Sequence, residues 1–167
     1  MNYEIINTET WERGELFRFY IEKLRNVMSM TVDTDVTKLV SFVRAHGLKF
    51  YPAMMWAVSK AVNGRAEFRY GWKNGDLVRW DYVSPYYADF HGEDFDISCL
   101  PWVRYRSFDI HVFDEGRYLA PVVTWGRFET ENGKTVLPLS VNIHHAVADG
   151  WHLSRLFADV QEIINTL

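Results

Sequence analysis

The sequence predicts an α+β fold of two layers, a mixed and mainly β sheet covered by helices. Three observations carry this. Apolar residues recur at helical spacing only in roughly the first 63 residues and again after Gly150. The stretch between them alternates with period two. Two Asn-Gly dipeptides, Asn74-Gly75 and Asn132-Gly133, punctuate that stretch as tight turns. In order, Trp11–Val27 reads as a helix with Leu16, Phe19, Tyr20, Leu24 and Val27 on one face, and Met28–Val32 as a short strand. Asp33–His46 reads as a second helix stopped by Gly47, and a third begins at Pro52 and runs to about Asn63. Phe68–Trp72 and Leu77–Tyr82 form a hairpin. Val83–His91, Phe95–Leu100, Ser107–Phe113, Leu119–Phe128 and Val136–His145 are strands. A helix from Gly150 to Leu167 closes the chain, its apolar face made by Leu153, Leu156, Phe157, Val160, Ile163, Ile164 and Leu167.

Composition narrows the function classes. The 167 residues suit one domain, 1–167, and 48% apolar with 24% charged residues is ordinary globular usage. Eighteen basic against 22 acidic residues disfavour a nucleic-acid or polybasic membrane role. The single Cys99 excludes an internal disulfide framework and suits a reducing cytoplasm; with no base beside it, it reads as structural. Met1–Thr10 carries no signal-like apolar run, and no stretch approaches the roughly 20 apolar residues of a membrane span. Seven Trp, nine Tyr and 11 Phe suit deep pockets and subunit interfaces as well as cores.

The chemistry concentrates in Ile143-His144-His145-Ala146-Val147-Ala148-Asp149-Gly150-Trp151-His152, where a strand gives way to a helix. Alternation puts Val141, Ile143 and His145 on one face, and Ser140, Asn142 and His144 on the other. His145 then ends an apolar row in a water-poor site that favours the neutral imidazole a general base needs, and His144 is structural. The residues alone leave three readings: histidines without chemistry, a metal site from His144, His145, Asp149 and His152, or a general base. The spacing matches no common zinc pattern. Asp149 stands where a carboxylate caps a helix, or caps it and also holds the loop by an ion pair.

His-His-Ala-Val-Ala-Asp-Gly-Trp-His resembles the signature of the chloramphenicol acetyltransferases of the trimeric, His-motif type. Its core, His-x-x-x-Asp-Gly, recurs in dihydrolipoyl acyltransferases and condensation domains. Phe50-Tyr51-Pro52-Ala53, Glu67-Phe68-Arg69, Asp76-Leu77-Val78 with Trp80-Asp81, Ser98 to Val103, Ser107-Phe108-Asp109 and Ala120-Pro121-Val122 with Thr124 resemble the same family in order.

The resemblance implies roles. His145 is the general base. Ser98 is the hydroxyl that hydrogen-bonds the oxyanion, Thr124 orders water near the intermediate, and Arg13 and Asp149 pair to hold the loop. Phe19, Tyr20, Leu24 and Phe108 match acceptor-pocket positions; Lys49, Tyr51, Arg127 and Phe128 match CoA contacts. Core packing is the competing reading for the pocket aromatics, and a solvated charge for Arg13. Acetyl-CoA is then a co-substrate, with no permanently bound cofactor and no metal. The assembly is a cytoplasmic homotrimer with active sites between subunits, and the activity is antibiotic inactivation by O-acetylation of chloramphenicol or a similar acceptor. The sequence departs from the family at Ala148 and Trp151, and between His91 and Ser98, where several dozen residues including a helix and pocket wall are missing. The alternative reading is therefore a catalytically weak relative that binds a small molecule or serves as a trimeric scaffold. Transfer to another acceptor, as in the dihydrolipoyl branch, is a third.

Overall fold

The structure is a computed structural model that describes residues 2–86, 93–112 and 114–167. Helices and strands follow the order β1 (Tyr3–Ile5), α1 (Gly14–Phe19), β2 (Val27–Asp35), α2 (Thr37–Ala45), α3 (Phe50–Asn63), β3 (Tyr70–Lys73), β4 (Asp76–Trp80), β5 (Ser84–Tyr86), β6 (Asp94–Leu100), β7 (Val122–Gly126), β8 (Glu129–Glu131), β9 (Lys134–His144) and α4 (Gly150–Asn165). A π-helical turn, Tyr20–Leu24, extends α1. The main sheet runs β2-β9-β7-β6-β5, with β8 beside β9; β1-β4-β3 form a second, smaller sheet.

The main sheet has an apolar and a polar face. Leu137, Leu139, Val141 and Ile143 of β9 alternate into the core with Phe95 and Ile97 of β6 and Val123 and Trp125 of β7. Helices α2, α3 and α4 cover that face through Leu39, Val43, Met54, Val58, Leu153, Leu156 and Val160, all buried. Ser140, Asn142 and His144 occupy the opposite face and are buried too. The segment 101–112 reaches this sheet: Tyr105 donates its hydroxyl to the Thr124 carbonyl (2.8 Å) and Asn142 donates Nδ2 to the Ile110 carbonyl (3.1 Å). Buried polar side chains persist where a partner satisfies them. Among the described residues no helix is long and apolar enough to cross a membrane.

Both Asn-Gly turns adopt positive φ at each central residue, 53° and 92° at Asn74-Gly75 and 51° and 79° at Asn132-Gly133, the geometry that matches strand twist in a two-residue hairpin. Several expected boundaries move. The helix expected over Trp11–Val27 starts at Gly14, and Arg25, at φ 47°, ends its π-helical turn. Strand β2 then begins at Val27 and continues to Asp35, because β9 pairs with it without a break from Val27↔His144 to Asp35↔Val136. Helix α2 starts only at Thr37, where the Asp35 carboxylate accepts from the Thr37 N–H (3.0 Å) and hydroxyl (2.6 Å). Over 107–112 there is no strand: the Ile110 carbonyl accepts from the Asn142 side chain rather than from a strand neighbour, and Phe113 lies outside the described residues. Of Val83–His91, only Ser84–Tyr86 is strand, and 87–91 lie outside the described residues.

Candidate functional site

The loop that carries His145 joins the end of β9 to the start of α4. Strand β9 ends at His144, so the alternation expected to carry His145 into an apolar row stops one residue short. The chain turns there. His145 is half-buried rather than enclosed, its ring stacked on Tyr20 with centroids 4.3 Å apart and planes 19° from parallel. Its Nδ1 lies 2.9 Å from the Ala148 carbonyl oxygen. A carbonyl only accepts, so Nδ1 is the donor, and in the neutral imidazole the lone pair is then on Nε2. Its own N–H donates to the Asn26 carbonyl (2.8 Å). His144 is 2% exposed and accepts from the Ala146 N–H at Nδ1 (3.1 Å); burial pushes its pKa down.

Arg13 grips this loop from the start of α1. Its Nε donates to the Ala146 carbonyl (2.8 Å), Nη2 to the His145 carbonyl (2.9 Å), and Nη1 stands 3.4 Å from Asp149 Oδ2. Asp149 in turn caps α4, accepting from the Trp151 and His152 N–H groups (3.0 and 3.3 Å), with His152 Nδ1 2.7 Å from its Oδ1. Partial burial works to raise the Asp149 pKa, but the His152 backbone and side chain and Arg13 outweigh it and hold the carboxyl below its ordinary range. The carboxylate thus serves both as cap and as ion-pair partner.

A second cluster lies in mid-sheet. Register places Thr31, Ser140, Thr124 and Ser98 in one cross-strand row over β2, β9, β7 and β6. Thr31 and Ser140 hydroxyls are 2.7 Å apart, and Ser98 and Thr124 hydroxyls 2.8 Å. When Thr124 donates to Ser98 Oγ, the serine proton is free to meet an oxyanion. His145 is five residues beyond Ser140, one past the end of β9, and two strands across from Ser98. At about 3.3 Å per residue and 4.8 Å per strand, the two are about 19 Å apart within one chain. The structure therefore brings Arg13, Asp149, Tyr20 and His145 together, and Ser98 with Thr124, but not the two groups.

The remaining candidates divide similarly. Phe19 and Leu24 are 46% and 57% exposed, so within one chain they line no closed pocket. Phe108 packs on Tyr105 (5.5 Å between centroids). Phe50 against Phe128 (5.1 Å) and Tyr51 against Trp125 (5.2 Å) draw the start of α3 to the end of β7. Lys49, Tyr51, Arg127 and Phe128 thereby share one region, with Arg127 paired to Glu129 (2.8 Å) and Lys49 on the edge of an apolar cavity of about 570 Å³. Burial pushes the Cys99 thiol up to about 11, which keeps it in the thiol form near neutral pH. Sequence reasoning passed over Asp96, although it shares Ser98's strand parity and lines a cavity with it.

The arrangement has known counterparts. The profile of the family described as chloramphenicol acetyltransferase matches residues 1–95 and 89–161, two pieces that overlap at 89–95. The chain is 31% identical to chloramphenicol acetyltransferase 3 of Escherichia coli over 210 aligned positions, covering 99% of each chain. It is 31% identical to the Proteus mirabilis chloramphenicol acetyltransferase over 201, covering 95% of this chain and 93% of that one. Both alignments span far more positions than this chain's 167 residues, so the relatives carry extra residues. A solved chloramphenicol acetyltransferase superposes with a TM-score of 0.87 at 25% identity, covering 98% of both chains. The Azotobacter vinelandii dihydrolipoamide acetyltransferase shares the fold (TM-score 0.68, 14% identity, 96% of this chain and 90% of that one). A family profile that matches nearly the whole chain, relatives 31% identical over that length and a fold matched just as widely make this chain an acyltransferase and a member of the chloramphenicol acetyltransferase family.

Proposed function

We propose that this chain moves an acetyl group from acetyl-CoA to a hydroxyl of chloramphenicol or a similar small acceptor, with His145 as general base. The observation that carries the reading is the His145 Nδ1 contact with the Ala148 carbonyl, which in the neutral imidazole leaves the lone pair on Nε2, on a loop fixed by Arg13. The acceptor O–H gives its proton to Nε2 as its oxygen bonds the thioester carbonyl carbon. The C–S bond then breaks, and the proton passes to the CoA sulfur. Ser98 Oγ faces the carbonyl oxygen as charge gathers there, backed by Thr124; such a donor is typically worth about 3 kcal/mol of barrier. Lys49 and Arg127 supply cations for CoA phosphates, and Tyr51 and Phe128 apolar rings for its adenine.

The separation within one chain supports assembly into a homotrimer. A single acetyl group cannot bridge groups about 19 Å apart, so a working site takes His145 from one copy and Ser98 from another. In that assembly Phe19, Tyr20 and Leu24 border the shared pocket, and the scaffold reading loses ground because the loop clamp is intact. The test is thiol release from acetyl-CoA with and without chloramphenicol. Acceptor-dependent release, lowered about 10²–10⁴-fold in His145→Ala with its melting temperature kept, is expected. Release that ignores either chloramphenicol or the substitution defeats the reading.

A further inference from the structure

We infer that the cavity beside Ser98 takes a hydroxyl compound that also carries a protonated amine, with Asp96 as the residue that selects it. The inference rests on the acetyl-transfer reading above and adds the chemical class of the acceptor. Strand β6 places Asp96 two residues before Ser98 on the same face, so their Cα atoms are about 6.6 Å apart. Both line one cavity of about 230 Å³ with Tyr86, Ile110, Val112 and Val122. Asp96 also lines the adjoining cavity, which adds Asp114 and Tyr118, and Asp94 stands two residues earlier on the same face of the strand.

The charge of this cavity is one-sided. Asp96 is half-buried and accepts from the Tyr118 hydroxyl. Among the described residues no Lys or Arg stands within ion-pair distance of it, and residues 87–92 and 113 include neither. Arg117, which lines a neighbouring cavity with Asp114 and Tyr118, lies over the Trp72 ring at 4.2 Å. Burial pushes the Asp96 carboxyl up while the Tyr118 hydroxyl holds it down, as expected for a carboxylate short of a cation. In the same cross-strand row, Asn142 spends Nδ2 on Ile110 and keeps Oδ1 buried with no donor among the described residues. The Asp96 carboxylate meets a hydroxyl but no Lys or Arg among the described residues, and a half-buried carboxylate without a cation is costly until one meets it.

Geometry narrows the ligand. The reacting oxygen must come within bonding reach of a carbonyl carbon whose oxygen meets Ser98 Oγ. An ammonium meeting Asp96 then lies on the carbon next to the reacting hydroxyl or one carbon further. A charge-assisted contact keeps that amine protonated and non-nucleophilic, so the hydroxyl remains the group acylated.

The probe is chloramphenicol stripped of its dichloroacetyl group, which exchanges a neutral amide for an ammonium on an unchanged propanediol. Acetyl-CoA thiol release is compared for the amine and for chloramphenicol in the full-length wild type, Asp96→Asn and Asp96→Glu, and binding of the amine is measured separately by calorimetry. The expected result is a kcat/KM ratio of amine to amide that falls about tenfold or more in Asp96→Asn and is recovered in part by Asp96→Glu, with amine binding weakened in parallel. A ratio unchanged in Asp96→Asn overturns the proposal, as does a change in oligomeric mass with no change in ratio, which would give the carboxylate to a subunit interface. Carboxylate-dependent amine binding without any acetyl transfer would fell the transferase reading and leave the binding site standing. Equal amine binding in wild type and Asp96→Asn fells the site whatever the turnover.

Discussion

Mixing two inactive variants tests whether one site draws on two copies. On the proposed mechanism His145→Ala removes the base and Ser98→Ala the oxyanion donor, and the two positions lie about 19 Å apart, five residues along and two strands across, in a single chain. Base, attacking oxygen, carbonyl carbon and donor hydroxyl must all fall within roughly two hydrogen-bond lengths of one another. No side-chain rotation closes that gap. Each variant alone should retain no more than about 1% of wild-type turnover. If the chains are unfolded together and refolded at equal amounts, a working site needs its histidine from the Ser98→Ala chain and its serine from the His145→Ala chain. Random assortment in a closed ring gives that pairing at about a quarter of sites. Acetyl-CoA thiol release in the mixture should therefore reach about 25% of wild type, well above either variant alone. A refolded mixture of normal oligomeric mass that never exceeds the sum of its parts would refute the argument from register.

Arg13→Met and Asp149→Asn should each lower turnover, and the double variant should cost less than the sum, because Nη1 and Oδ2 form one contact in the loop clamp. Stability should follow the Asp149 carboxyl, whose pKa is lowered in the fold. Its contribution is fully present above the ordinary carboxylate value near 4 and is lost as pH falls through the lower folded value. The melting-temperature gap between wild type and Asp149→Asn should hold above the ordinary carboxylate range and narrow as the pH is taken progressively below it; with the side chain 36% exposed it amounts to no more than about 1 kcal/mol. Gly14→Ala should lower turnover although Gly14 touches no substrate, since a Cβ there would run into the Thr8 carbonyl oxygen and shift Arg13 beside it; steady-state kinetics with a circular dichroism control read this. Assayed beside the Escherichia coli relative, this chain should match its KM for acetyl-CoA but show at least about a tenfold higher KM for chloramphenicol, since losing about 100 Å² of apolar wall costs about 2.5 kcal/mol.

What the sequence made legible was local. The Asn-Gly turns demand positive φ from two neighbouring residues, and the apolar face of α4 repeats within a single helix, so each is complete in a short window. Strand β1 carries no such signal: Tyr3, Glu4 and Ile5 are all exposed and become strand only by pairing with Val78–Trp80. The length of β2 is likewise set by β9, more than 100 residues away. The facing of His145 was misjudged for a related reason, because alternation predicts direction only while the strand lasts and β9 ends one residue earlier. Arg13, 136 residues from Asp149, came from the family resemblance and from nothing in its own neighbourhood. The gap between Ser98 and His145 is a matter of register, which no single strand contains.

The same register explains why this chain can lose a long segment and keep its catalytic loop. Strands β5 and β6 pair in parallel, a connection that normally takes a dozen or more residues to cross over. Here only seven, 87–93, stand between them, and the two family-profile matches overlap at 89–95. The shortening therefore falls in a crossover at the β5 edge of the sheet. The His145 loop hangs from β9, with β6 and β7 between it and β5, and its fixings come from Arg13, Asn26 and Asp149, none of them near that edge in the strand order. Ser98 is closer: its strand is the one β5 pairs with, and its cavity includes Tyr86 and Asp96, a directly paired couple across the two strands. A change in the crossover thus reaches the acceptor through the wall around Ser98 and leaves the base untouched, so differences from longer relatives should appear in acceptor KM and acceptor choice before they appear in the proton transfer itself.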